Sequence, residues 1–233
     1  TGTVEIPCQS VGTTIYYYAY TSNRTSAAIL ADVGTYGQVA HDMSTLSINN
    51  NGGPNYIYTV LPSIGFCGNY YVPSVCYPTI ASFVTALNAG SVSCDVVCNV
   101  AAGHTETAPV GGINLTQTGT AANTITFIKS GVGANPIIYA PVGTVSMTSG
   151  SAVSDGIFSL NGSDYITIDA IDLVDNNTSG ASMMEYGYAL FKNSISDGCQ
   201  YNIIRNCNIT LNQDNYWTST PTNYEFGSTG ILM

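Results

Sequence analysis

The sequence has little charge, and very little positive charge. Only four of its 233 residues are Lys or Arg, against 14 Asp and Glu, and the formal net charge is −10. Phosphate binding depends on Lys and Arg, which excludes nucleic acid as a partner. The same shortage of cations disfavours an anionic membrane surface and polyanionic polysaccharides such as pectate.

Long apolar runs and a leader pattern are also lacking. No run approaches the roughly 18 apolar residues of a membrane span. The first ten residues, TGTVEIPCQS, show no basic and then apolar signal pattern. Both absences fit a mature or trimmed secreted chain. Seven cysteines would be unusual in a cytosolic protein, so they also predict an extracellular location.

The cysteine spacing suggests two disulfides and leaves at least one cysteine over, because the count is odd. Cys67 and Cys76 flank GNYYVPSV, in which Gly and Pro would let the chain fold back. Cys94 and Cys98 would need a tight turn to pair, and they are a weak match to zinc-ligand spacings. Cys199 and Cys207 are poor partners, because eight extended residues span about 26 Å.

Two kinds of local pattern precede residue 95. Short β-type runs separated by turns such as NNNGGPN predict a small β-sandwich-like segment over residues 1–65. The stretch YPTIASFVTALNAG then predicts a helix over 78–88, with Pro78 in the first turn and a stop at Asn88 and Gly90. Its apolar stripe is Ile80, Phe83, Val84 and Leu87.

Residues 165–212 contain a repeat of 36 residues. YITIDAIDLVDN (165–176) aligns with YNIIRNCNITLN (201–212). The aligned pairs are Tyr165 with Tyr201, Ile168 with Ile204, Ile171 with Cys207, and Leu173 with Ile209. Within each copy the apolar spacing of two is broken by one step of three, as expected where a strand turns a corner and continues to face the same core.

Strand, corner and strand recurring every 30 to 40 residues predict a solenoid. Because the strands are short and closely spaced, the fold class is all-β. We expect a right-handed parallel β-helix over residues 66–233, continuing beyond the end of this chain. Helix 78–88 would cover the N-terminal edge of the stack.

The chain resembles the pectin-lyase-like β-helix domains of large secreted surface proteins from Bacteroidota. The similarity covers residues 67–233 and rests on YPTIASFVTALNAG, NVAAGHTET, NTITFIKSG, DYITIDAIDLV, EYGYAL and IIRNCNIT. It implies an extracellular role, adhesive or facing polysaccharide, and export by the type IX route. The sorting domain of the family is missing, so a fragment of a longer protein is expected.

Two sets of acids are candidates for chemistry. Glu185-Tyr186-Gly187 recurs as Glu225-Phe226-Gly227. Equivalent places on successive coils would bring Glu185 and Glu225 to about 4.8 Å, near the spacing of a retaining glycosidase pair. Structural bonding at each corner is the alternative and the favoured interpretation. A lyase would need Ca²⁺ held by acids such as Asp164, Asp169, Asp172 and Asp175, for which solvation of turns is the simpler explanation.

The best signal for ligand binding lies in two loops, 176–187 and 212–230, which leave the repeat at the same point of consecutive coils. They carry the aromatic residues Tyr186, Tyr216, Trp217 and Tyr224. Contact with a glycan and packing of the loops onto the coil are equally compatible with this pattern.

The sequence therefore predicts a non-catalytic, secreted or cell-surface module, adhesive or structural, with no cofactor. Its partners would be a polysaccharide or surface glycan, other segments of the same protein, or neighbouring copies. Three alternatives stay open: a polysaccharide-binding module, a polysaccharide lyase or glycoside hydrolase, and a subunit of an extracellular filament.

Overall fold

A computed structural model describes residues 13–17, 19–22, 46–49, 56–59, 65–143, 156–178, 184–212 and 228–233. The chain divides into two compact units, Thr1–Pro62 and Ser63–Met233.

The first unit contains two antiparallel strand pairs in the described residues. Its strands are β1 (Thr14–Tyr17), β2 (Ala19–Ser22), β3 (Leu46–Asn49) and β4 (Tyr56–Thr59). β1 pairs with β4, and β2 pairs with β3. The packing that would make these pairs the predicted sandwich lies outside the described residues.

The second unit is built from three parallel sheets. The first sheet contains, in spatial order, β5 (Phe66–Val72), β6 (Val92–Ala101), β9 (Ile125–Ser130), β12 (Ile166–Asp169) and β15 (Ile203–Arg205). The second contains β7 (Thr105–Thr107), β10 (Ile137–Tyr139), β13 (Asp172–Val174) and β16 (Ile209–Thr210). The third contains β8 (Ile113–Leu115), β11 (Gly156–Asn161), β14 (Tyr186–Phe191) and β17 (Thr229–Leu232).

The chain visits the three sheets in turn, four times, from β6 to β17. Each strand is hydrogen-bonded in parallel to its counterpart on the next coil. The predicted parallel β-helix is thus confirmed. We call the connections between the sheets the first corner (first to second sheet), the second corner (second to third) and the third corner (third to first).

The register of the sheets reproduces the 36-residue repeat. Ile168 lies beside Ile204, and Leu173 lies beside Ile209. The three-residue step falls at the first corner, where Ala170 and Asn206 both adopt left-handed backbone conformations, with φ of 59° and 57°. The backbone reverses its twist there, so that Ile171 still faces the core.

One helix, α1 (Ile80–Ala89), takes the place of strands on the incomplete coil that begins with β5. Thr79 caps its N-terminus in a capping box with Ser82, and the four predicted apolar residues are its buried ones. The Asn88 side chain donates to the Asn114 carbonyl of β8 at 2.7 Å and accepts from the Thr116 N–H at 2.9 Å. The helix therefore covers the N-terminal edge of β8, as predicted.

A column of aromatic rings runs through the core from the helix along the stack. Phe83, Phe127, Phe158 and Tyr188 follow one another with ring centroids 5.7 to 5.9 Å apart. The buried Tyr188 hydroxyl donates to the Ile171 carbonyl at 2.8 Å, which satisfies its polar group inside the core. Burial also raises the pKa of Tyr188 well above its usual value.

The disulfide pairing differs from the predicted one. Cys67 of β5 is bonded to Cys94 of β6, with Cα atoms 4.8 Å apart, so the predicted pairs Cys67–Cys76 and Cys94–Cys98 are wrong. Cys94 and Cys98 lie in the same extended strand, β6, and the adjacent parallel strand β5 brings Cys67 beside Cys94 instead. Cys76 is also disulfide-bonded. Cys98 is a free thiol, fully buried in the core.

Candidate functional site

Carboxylates at the corners bind backbone groups of the next coil. Asp164 accepts from the Gln200 N–H at 2.6 Å, and Asp172 accepts from the Asn208 N–H at 2.8 Å. Each pair is separated by 36 residues, which is the length of the repeat. At the start of the stack, Asp95 plays the same role toward the Thr124 N–H at 2.7 Å, and this bond lowers the pKa of Asp95.

Asp169 forms the ion pair that joins the two copies of the repeat. Its Oδ2 lies 2.8 Å from a terminal guanidinium nitrogen of Arg205, and its Oδ1 accepts from the Asn206 side chain at 2.7 Å. The Asn206 hydrogen bond, followed by the Arg205 contacts, outweighs partial burial and lowers the pKa of Asp169. Arg205 therefore has a structural partner, and it does not act on the neighbouring thiol.

Asp172 is the centre of a second cluster at the same corner. Burial alone would raise its pKa, but hydrogen bonds from the Asn208 backbone and side chain and from Asn135 lower it overall. The Asn135 side chain in turn accepts from Lys129 Nζ at 3.0 Å. In the described part of the chain no group of three His, Cys, Asp or Glu could hold a metal ion.

The loop bases at the second corner are tied to one another. Asp175 accepts from the Asn177 N–H at 2.9 Å and from the Met184 N–H at 2.8 Å, which closes the base of the loop between β13 and β14. Asn212, at the base of the next loop, donates to the Asn177 carbonyl at 2.6 Å. Ser228 donates to the Met184 carbonyl at 3.0 Å. The two loops therefore leave adjacent coils side by side.

The predicted aromatic residues of these loops fall in different places. Tyr186 is half-buried at the start of β14, where its ring contacts Phe191 with centroids 6.2 Å apart. That contact gives Tyr186 a packing role on the third sheet. Tyr216, Trp217 and Tyr224 lie outside the described residues, so their part in ligand binding stays a prediction.

The register beside Glu185 differs from the one that the sequence repeat predicted. Tyr186 pairs with Thr229, which places Ser228 beside Glu185 at the site expected for Glu225. The Thr229 N–H donates to the Glu185 carbonyl at 2.7 Å. The sequence repeat Glu-Tyr/Phe-Gly is therefore out of register with the pairing of the strands by three residues. Glu225 itself lies outside the described residues.

A buried acid that the sequence pattern did not reveal supports the helix. Glu106 of β7 accepts from the Ile80 N–H at 2.6 Å, from the Ala81 N–H at 3.1 Å, and contacts His104 Nε2 at 2.9 Å. Only 7% of the residue is exposed. Its carboxylate satisfies the free N–H groups of the first helical turn, where negative charge is favoured. The only signal in the sequence was that Glu106 occupies the inward-facing position of a short strand, where an apolar residue is usual.

The free thiols at the corners are packing groups. Cys207 is half-buried against the core at the place predicted from Ile171, and its Sγ donates to the Arg205 carbonyl at 3.1 Å. Burial raises the pKa of both Cys199 and Cys207, which disfavours the reactive thiolate. The structural interpretation of Cys207 therefore agrees with its environment.

The third corner carries a stack of two aromatic rings. Tyr165 and Tyr201 lie on successive coils with parallel rings, 4.6 Å between centroids and 18° between planes. Tyr201 is 68% exposed. Both residues have left-handed backbones, with φ of 55° and 56°. The alignment of Tyr165 with Tyr201 was visible in the sequence, but only the structure shows that their rings stack on each other.

The backbone of this corner does not explain the choice of tyrosine. A non-glycine residue in the left-handed region costs about 1 kcal/mol or more, and here there are two. The stacking of one aromatic pair stabilises the fold by about 0.5–1.5 kcal/mol, which does not clearly exceed the backbone cost. Asn tolerates this conformation far better and stands at the corresponding position of the first corner, as Asn206. The two stacked tyrosines thus occupy an unfavourable backbone conformation.

A polar groove of about 210 Å³ lies at the same corner of the earlier coils. It is lined by Gly90, Ser91, Gln117, Thr118, Thr120 and Asn123, among other residues. Gly119 also lines the groove, and its N–H donates to the carbonyl of Asp164, the residue before Tyr165, at 2.8 Å. A Cβ at Gly119 would come within 2.9 Å of the Asn123 carbonyl oxygen and 3.2 Å of the Tyr165 Cβ, so the close approach of the two coils leaves little room for a side chain at this position.

No family model, curated protein or solved structure matches the chain. Among the described residues, no helix has the length and apolar character to cross a membrane.

Proposed function

We propose that this chain is a non-catalytic β-helix module of an extracellular or cell-surface protein, with an adhesive or structural role. The observation that carries the proposal is that polar side chains at the corners form hydrogen bonds between successive coils. The corner carboxylates Asp164, Asp169 and Asp172 bond to the coil 36 residues ahead. Their bonds make a cross-linked scaffold that presents loops from one side.

Three further features support the proposal. The Cys67–Cys94 disulfide joins two adjacent strands at the N-terminal end, and such bonds persist in oxidising compartments. The low charge and polar, Thr- and Asn-rich surface suit contact with neutral surfaces. The resemblance to β-helix domains of secreted Bacteroidota surface proteins implies the same setting.

Retention under flow tests the adhesive role. Beads coated with the 233-residue chain would be passed over surfaces carrying polysaccharides or intact cells, and the eluate would be assayed for reducing ends and unsaturated sugars. We expect several-fold more retention than for beads coated with the reduced, alkylated and unfolded chain, and no sugar release.

Two results would argue against the proposal. Sugar release that is lost in Glu185→Gln would identify the enzymatic alternative. Equal retention of native and unfolded chain would remove the adhesive role. Antibody labelling of intact source cells checks the location independently, and labelling only after lysis would contradict it.

A further inference from the structure

We infer that the side chains of Lys129 and Asn135 join in a covalent amide cross-link at the first corner, with loss of ammonia and with Asp172 as the group that carries the proton. The inference goes beyond the proposed function, because it concerns the covalent structure of the chain itself. It applies equally to an adhesive and to a purely structural module.

Three side chains at this corner stand in the order that the reaction needs. Lys129 Nζ donates to Asn135 Oδ1 at 3.0 Å, and Asn135 Nδ2 donates to Asp172 Oδ1 at 2.8 Å. Because a C=O bond is about 1.23 Å long, Lys129 Nζ lies within about 4.2 Å of Asn135 Cγ. A lysine amine thus lies beside an amide carbon, and a carboxylate lies beside the nitrogen that would leave.

The backbone of the corner brings Lys129 and Asn135 together. Gly131 and Gly133 have φ of 94° and 138°, in the region that glycine adopts most easily. They let the chain double back within six residues. The Ala134 carbonyl accepts from a backbone N–H of the preceding coil at 2.9 Å, which holds the loop in place. The closeness of the two side chains is therefore a property of the loop.

The Asn135 amide is held in one orientation and is protected from a competing reaction. Besides its bond to Asp172, Nδ2 donates to the Asn206 carbonyl at 3.1 Å, so the amide group connects three coils. The following residue is Pro136, which has no backbone N–H. The usual attack on an Asn side chain by the next backbone nitrogen therefore cannot occur, and Cγ is left for the lysine.

The reaction needs no oxidant, metal or other reactant. The neutral Lys129 amine, having released its ammonium proton to solvent, attacks Asn135 Cγ and forms the Nζ–Cγ bond. In the tetrahedral intermediate both nitrogens are bonded to Cγ, so the Asp172 carboxylate can take a proton from Nζ and deliver it to Nδ2. The Cγ–Nδ2 bond then breaks, ammonia leaves, and a secondary amide remains.

Proximity makes this otherwise slow reaction accessible. Well-oriented groups of one molecule react with effective molarities of about 10⁵–10⁸ M. Lysine side chains are mostly protonated at neutral pH, and only the neutral amine is a nucleophile. We therefore expect the cross-link to accumulate gradually after the chain has folded.

A neighbouring pair at the same corner provides an internal comparison. Asn206 donates to Asp169 at 2.7 Å, which repeats the pairing of amide and carboxylate. The cation there is Arg205, 2.8 Å from Asp169, and its guanidinium stays protonated and offers no nucleophilic amine. No cross-link is expected at that pair. The lysine, and not the carboxylate, therefore distinguishes the reactive site.

Tryptic mapping with mass spectrometry tests the inference on the full chain. The chain has two lysines, Lys129 and Lys192. After folding and incubation for increasing times, it would be reduced, unfolded and digested. Trypsin does not cut after a cross-linked lysine, so we expect an uncut peptide 25–192 that is about 17 Da lighter than its sequence, the mass of one ammonia. This peptide should increase with incubation time, at the expense of peptides 25–129 and 130–192.

Three variants assign the roles. Lys129→Arg keeps a hydrogen-bond donor but has no nucleophilic amine, so the lighter peptide should be absent. Asp172→Asn keeps the shape of the side chain but cannot carry the proton, and we expect the cross-link to form at least about 10-fold more slowly. Lys192→Arg removes the other lysine and is the matched control, in which the mass loss should be the same as in wild type.

The wild-type masses decide the outcome even if a variant fails to fold. Peptides 25–129 and 130–192 at full mass after long incubation would overturn the inference. A gain of about 1 Da at Asn135 would also overturn it, because it means that water hydrolyses the amide. Loss of ammonia with normal cutting after Lys129 would place a cyclic imide elsewhere, with the same consequence. An equally fast cross-link in Asp172→Asn would overturn the role of Asp172.

Discussion

Single carboxylates at the corners hold successive coils together. Asp169 and Asp172 accept hydrogen bonds from residues one repeat ahead, and both have a lowered pKa. Because these acids are occupied by amide and guanidinium donors, their clustering reflects the stacking of corners. A carboxylate-rich corner in a solenoid is therefore weak evidence for catalysis or Ca²⁺ binding.

This bonding predicts an acid-sensitive fold. An Asp with a lowered folded-state pKa stabilises the protein above its unfolded value of about 3.9, and that contribution is lost as the pH falls through the folded-state pKa. We expect the free energy of unfolding in urea to be level from pH 7 to 5 and to fall below about pH 4. The double variant Asp169→Asn, Asp172→Asn should be less stable at pH 7 and show a smaller acid loss. An unchanged acid limb in this variant would contradict the assignment.

At the scale of elements, α1 depends on an acceptor from another coil. Thr79 and Ser82 form the capping box, but the Ile80 and Ala81 N–H groups are satisfied by Glu106, 25 to 26 residues ahead. A helix that caps a β-helix must place its polar N-terminus near the core. A buried carboxylate on the first complete coil solves that problem.

Glu106→Gln tests this support. The amide group that replaces one oxygen cannot accept from a helical N–H, so we expect a loss of about 1–3 kcal/mol in the free energy of unfolding. Hydrogen exchange should become faster at residues 80–82 and stay unchanged in β12 and β13. Thr79→Ser, which keeps a capping hydroxyl, is the matched control. Equal protection of residues 80–82 in wild type and Glu106→Gln would show that the carboxylate is dispensable.

At the scale of the whole molecule, stability is the sum of contacts between neighbouring coils, as in other solenoids. The first coil of the stack is incomplete, with a strand only in the first sheet, and there the chain adds the helix and the Cys67–Cys94 disulfide. The bridge closes a sequence separation of 27 residues between β5 and β6.

Removing the disulfide should destabilise the N-terminal end first. For a loop of this length the chain-entropy relation gives about 3–4 kcal/mol. We expect the Cys67→Ser, Cys94→Ser variant to expose β5 and α1 to limited proteolysis before the later coils. Cys199→Ser, which removes a free thiol, should leave the cleavage pattern unchanged. Uniform cleavage along the stack in the double variant would contradict this order.

The repeat in the sequence determined most of the fold. The 36-residue offset, the three-residue step and the apolar stripe of the helix predicted the parallel stack, its corners and its cap, because they depend on local periodicity. Pairings between coils were less accessible. Cys67 is bonded to Cys94, and Ser228 lies beside Glu185, where other partners were predicted. The partner of a residue in parallel strands depends on the register between coils, and connections of unequal length shift that register.

The sequence by itself thus determined a cation-poor β-helix with an N-terminal helix, since composition and periodicity act residue by residue. Only the tertiary structure decided which polar groups bond to the neighbouring coil. From the sequence alone, Asp169 and Arg205 were candidates for a reactive site, whereas the structure shows that they form an ion pair between successive coils. Tyr165 and Tyr201 were one more aligned pair in the sequence, and only the stacking of the coils shows that their rings lie in parallel contact.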